Sequence, residues 1–111
     1  MGATSFSEIA HGRTPMRAFK SAVRKANELG GHDGYYSPLA DKEEFIRVRL
    51  DPSKDPYQAV REMFDKDDIR IRDKWGPCGC IDITGSTYAI EDNPRLADGI
   101  KSYLFFGWAP E

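Results

Sequence analysis

Between Thr14 and Gly31, Phe19, Ala22, Val23 and Ala26 recur at the i, i+3, i+4, i+7 spacing that lays one apolar stripe along a helix. Thr14 offers a capping hydroxyl, Pro15 suits the first helical position and Gly30-Gly31 supply a left-handed stop, so the pattern predicts a helix over 15–29. The period changes in "EFIRVRL", where Ile46, Val48 and Leu50 alternate with Arg47 and Arg49 as in a half-buried strand. "DPYQAVREMFDK" returns to helix grammar: Asp55 caps, Pro56 opens, Gln58 follows three after the cap, and Val60, Met63 and Phe64 form the stripe. "DIRIRD" alternates through Ile69 and Ile71 and predicts a strand; "CIDIT" and "TYAIE" predict two more around Gly85-Ser86. Asn93-Pro94 marks the cap and first residue of one helical turn, and "SYLFFGWA" is a continuous apolar run expected as a central, buried strand. "SFSEIA", with Phe6 and Ile9, completes the set as an N-terminal strand.

The resulting order, β-α-β-α-β-β-β-β, implies an α+β fold: a mainly antiparallel sheet with two helices packed on one face. No repeat or linker interrupts the chain, so 1–111 is expected as a single domain. The longest stretch without a pattern, 30–43, stands out because compact domains seldom carry long loops without a use for them.

Composition narrows the class. A chain of 111 residues buries roughly 65% of its unfolded surface. With 40% hydrophobic and 31% charged residues it is built to fold around a core. No apolar run approaches the roughly 18 residues of a membrane span, and "MGATSFSEIAHG" lacks the basic-then-apolar pattern of a secretory signal, so the expected location is cytoplasmic. A net charge of −2 argues against a general nucleic-acid binder, although Arg13, Arg17, Lys20, Arg24 and Lys25 make the N-terminal third locally basic.

Three segments could carry chemistry. "DKWGPCGC" holds both cysteines, and Cys78 and Cys80 with His11 and His32 would make a two-thiolate, two-imidazole zinc set. A single residue between the cysteines is too few for the usual chelate, and the thioredoxin-like pair has two, so the expectation is a tight bend with no metal. In that bend Trp75 anchors by burial, Cys78 sits in the turn and Cys80 points inward as a small hydrophobe. In "AHGRTP", Arg13 and Thr14 stand at a helix N-terminus, where free N–H groups attract a phosphate or carboxylate. In "GGHDGYYSP", His32, Asp33, Tyr35 and Tyr36 offer an imidazole, an orienting carboxylate and phenolic donors. An acid–base pair of His11 and His32, with Arg13 or Lys42 neutralising phosphate charge, is the enzymatic reading. The adjacent carboxylates Glu43-Glu44, Asp67-Asp68 and Glu91-Asp92 project apart and make poor metal clusters. No fingerprint for a cofactor is present, and none is expected.

Three blocks, "GGHDGYYSPLADKEEF", "DKWGPCGCIDI" and "YLFFGWAPE", cover about a third of the chain. Together they resemble a group of small uncharacterised proteins of bacteriophages and bacteria that share a Gly-Tyr loop, a Lys-Trp-Gly-Pro turn and a Phe-Phe-Gly-Trp terminus. The chain departs from that pattern at Ser37-Pro38-Leu39, where Gly-Thr-Ile is more usual, and at Cys78 and Cys80, where Ala or Gly is ordinary. The resemblance implies phage or mobile-element biology, hence a host cytoplasm, and brings no activity with it.

The sequence therefore favours a non-enzymatic binding protein, directed at a host (defence) protein or an anionic small molecule. Its expected contact residues are Arg13, Thr14, His32, Tyr35, Tyr36, Lys42, Lys74 and Trp75. The enzymatic alternative uses His11, His32, Asp33 and Tyr35 on a nucleotide or phosphodiester. Homo-oligomeric scaffolding through an exposed edge strand is the third reading.

Overall fold

The structure, a computed structural model, describes residues 2–33, 39, 42–51 and 53–110, with the backbone alone at 29–33. Its elements in chain order are β1 (Ala3–Gly12), α1 (Pro15–Asp33), β2 (Phe45–Arg47), α2 (Pro56–Asp65), β3 (Cys78–Asp82), α3 (Thr87–Asp92) and β4 (Lys101–Pro110). The fold is α+β. Four strands form one sheet in the order β1-β4-β3-β2, antiparallel except for the parallel β2–β3 pair. A parallel pair needs a crossover, and α2 supplies it.

β4 lies in the middle, as its unbroken apolar run requires, and alternation along it serves both faces. Tyr103, Phe105 and Ala109 meet Ala18 and Phe19 of α1, together with Phe6, Ala10, Leu39, Cys78 and Cys80. Leu104 and Phe106 point the other way, into Val60 and Met63 of α2, Ala89 of α3, and Val48, Ile71, Ile81 and Ile83. Two helices, α2 and α3, thus share one face, while the two helices expected from periodicity, α1 and α2, fall on opposite faces. α2 and α3 are joined by a T-shaped contact of Tyr57 with Tyr88, ring centroids 4.7 Å apart, and by the Tyr88 hydroxyl donating to Asp55 Oδ2 at 2.6 Å. The long α1 covers the opposite face, where Phe19, Phe45 and Phe105 form a cluster with centroids 5.1–5.8 Å apart. Glycine makes close approach possible on each side: a Cβ on Gly12 would lie 2.6 Å from the Ala18 amide nitrogen, and one on Gly79 would enter the Phe106 ring.

Several local expectations are corrected. α1 runs through Gly30-Gly31 to Asp33, because glycine permits a left-handed stop without imposing one. "DIRIRD" forms turns: Asp68 Oδ1 accepts from the Arg70 amide and Asp68 O from the Ile71 amide, which buries Ile71 and leaves Ile69 exposed. "TYAIE" is α3, since the Ser86 hydroxyl accepts from the Ala89 amide at 3.2 Å and this cap outweighs the β-preference of Thr, Tyr and Ile. Asn93-Pro94 follows that helix as its C-cap and a turn and does not begin a new one. The ladder of β2 is only three residues long, yet its alternation persists beyond it: Val48 and Leu50 join the α2 face while Arg47 and Arg49 stay exposed.

Candidate functional site

The sequence-nominated residues fall at two ends of the sheet. At the start of β3 the chain bends through 73–77. Asp73 closes the bend, its carboxylate accepting from the Trp75 amide at 2.9 Å and its carbonyl from the Gly76 amide at 3.0 Å. A second brace comes from Lys42, only 4% exposed, whose Nζ donates to Lys74 O at 3.0 Å and Gly76 O at 2.9 Å. The Cys78 amide donates to Glu44 O, so the segment leading into β2 and the bend leading into β3 are fastened together. Lys42 was nominated as a cation for a ligand; its ammonium is instead spent on backbone carbonyls.

Trp75 reverses its expected role. Rather than anchoring the bend by burial it is 76% exposed, with the Lys74 ammonium 6.0 Å from its ring centroid and that same ammonium donating to Gly2 O at 3.2 Å. The bend keeps its shape through Lys42 and Asp73 and does not need the indole. Cys78 is likewise not in the turn: it opens β3 and, like Cys80, is wholly buried against α1. Burial pushes both thiols up to about 12, which keeps them protonated and unreactive at neutral pH. Among the described residues, no three His, Cys, Asp or Glu side chains gather as metal ligands.

The opposite end holds His11. Its Nε2 lies 2.6 Å from Asp92 Oδ2 at the end of α3, and its Nδ1 lies 2.8 Å from the hydroxyl of Ser102, its cross-strand partner on β4. Serine, imidazole and carboxylate in sequence look like a nucleophile relay, but Ser102 is only 1% exposed, so its hydroxyl is shielded from solvent. What the arrangement does is tie α3 to β1 and β4. Thr14 acts as the expected cap, its hydroxyl accepting from the Arg17 amide at 3.2 Å. Arg13 is exposed and lies beside Gly99. Tyr35 and Tyr36 fall outside the described residues, as do the side chains of His32 and Asp33.

At this same end lies a cavity of about 620 Å³ bordered by Arg47, Arg49, Lys101, Asp82 and Thr84, with Val48 and Leu50 of the same strand segment at its edge. The sequence marked Arg47 and Arg49 only as the wet face of a strand. The overlooked signal was two arginines at i, i+2, which extended chain projects on one side.

The molecule is thus a small α+β protein with a braced, aromatic-bearing bend at one end of its sheet and a basic cleft at the other. Neither a family model, nor a curated protein, nor a solved structure matches the chain.

Proposed function

We propose that the protein is a non-enzymatic binding module that docks on another protein through the bend at 73–77. The observation that carries this is Trp75, 76% exposed on a segment whose carbonyls and amides are held by Lys42 and Asp73. An indole kept in water costs hydrophobic free energy, which a partner pocket recovers on binding, and its rigid mounting lowers the entropy lost on docking. Tryptophan is among the residue types most enriched at the hot spots of protein interfaces. The resemblance to phage and bacterial proteins through the same Lys-Trp-Gly-Pro turn supports a host protein as that partner, met in the host cytoplasm.

The test is capture from a host lysate with the wild-type protein and with Trp75→Ala in parallel. A specific partner should be retained by the wild type and by Ile90→Ala, a change at an exposed apolar residue outside the bend, and lost by Trp75→Ala. Binding of the captured partner should weaken by about 2 kcal/mol or more, the range of an interface hot spot. Equal capture by all three variants would remove the bend from the interface.

A further inference from the structure

We infer that the basic cleft at the far end of β3 is a second, separate binding site, for a small phosphorylated ligand with two adjacent anionic groups, such as a nucleoside diphosphate. Asp82 ends the strand that the bend begins, so cleft and bend stand at opposite ends of β3. The cleft's cations come from two non-adjacent strands of the same sheet: Arg47 and Arg49 from β2 and its extension, Lys101 from the first position of β4. β3 lies between them, and pairing fixes their spacing: Arg47 is opposite Cys80, and the next pair in line is Asp82 opposite Tyr103.

Charge makes the cleft selective. Three cations face one carboxylate, Asp82, and none of the ion pairs among the described residues uses Arg47, Arg49 or Lys101. The nearby carboxylates that line the α2 side of Arg49 have other partners: Asp51 accepts from the Ser53 amide and hydroxyl at 2.9 and 2.8 Å, Glu62 pairs with Lys54 at 2.7 Å and Asp68 with Arg70 at 2.8 Å. Arg47 also has a neighbour that favours its place in the cleft: its guanidinium carbon lies 5.9 Å from the centroid of the buried Tyr103 ring, within cation–π range. Two guanidinium forks and an ammonium suit clustered phosphate oxygens better than a lone carboxylate. The volume of about 620 Å³ is in the range of small-molecule sites. A net charge of −2 for the whole chain favours a small anion over a polynucleotide.

Calorimetric titration with inorganic pyrophosphate, ADP, adenosine and a single-stranded oligonucleotide tests the assignment. Pyrophosphate and ADP should bind, adenosine should not, and affinity should fall as salt rises. Arg47→Ala and Arg49→Ala should each weaken pyrophosphate at least about tenfold with an unchanged circular dichroism spectrum and melting temperature, whereas Trp75→Ala should leave it untouched. Arg47→Lys should recover only part of the loss, because the ammonium lacks the planar fork. Absence of pyrophosphate binding, or binding that ignores both arginine variants, overturns the inference. Oligonucleotide binding without pyrophosphate binding overturns it in favour of a nucleic-acid surface. None of these outcomes bears on the bend, whose own test is partner capture.

Discussion

Lys42 shows how a residue can be important for a reason opposite to the one its chemistry suggests. A lysine in a polar, acidic-flanked stretch looks like a ligand cation, yet here the ammonium is buried on Lys74 O and Gly76 O. Lys42→Met leaves those carbonyls without their donor and should cost about 1–3 kcal/mol in urea unfolding, while Trp75→Ala, changing an exposed side chain, should move stability by no more than about 0.5 kcal/mol. The sequence could not separate these two roles because both depend on a contact spanning more than thirty positions. What was legible at this scale was local: Thr14 and Asp55 as caps, and Cys80 as an interior thiol. The cysteines also give a pH signature. Their thiol pKa is raised by burial from 9.0 to about 12, so their contribution to stability is complete below pH 9 and is lost as pH climbs from there through 12. Urea midpoints measured at pH 8, 10 and 11 should decline, and replacing both cysteines by alanine should lower the midpoint at pH 8 but flatten that decline.

At the scale of elements, periodicity found α1, α2 and all four strands, although the ladder of β2 is shorter than its pattern. It failed where four or five residues had to decide. Ile69/Ile71 and Tyr88/Ile90 both alternate, but the first sits in turns built by Asp68 and the second in a helix capped by Ser86. Side-chain oxygens that capture backbone amides outvote a two-residue alternation. It also could not say which helices share a face, because that depends on which side of the sheet each crossover passes. Packing between elements is tightest at Gly79, whose missing side chain admits the Phe106 ring and so lets β3 and β4 lie under α2. Gly79→Ala should destabilise the protein by about 1–3 kcal/mol, seen as a lower urea midpoint with an unchanged m-value.

Across the whole molecule the sheet separates two unlike surfaces. One end offers an indole beside a lysine on a braced bend; the other gathers Arg47, Arg49 and Lys101 around a cleft, with Arg13 at the same edge next to Gly99. Sequence distance hid this layout, since residues 47, 82 and 101 become neighbours only through the strand order. That order has a further consequence in the cell. β4 follows β1, β2 and β3 in the chain yet lies inside the sheet, with β1 bonded to one side and β3 to the other. During synthesis, β1 and β3 leave the ribosome with no common partner, so the nascent chain cannot close its sheet until residues 101–110 have emerged. Ribosome-bound chains stalled before residue 101 should stay sensitive to protease, and protection should arrive in one step once β4 clears the exit tunnel. β1 has no strand to pair with until residues 101–110 are available, and the sheet closes on them.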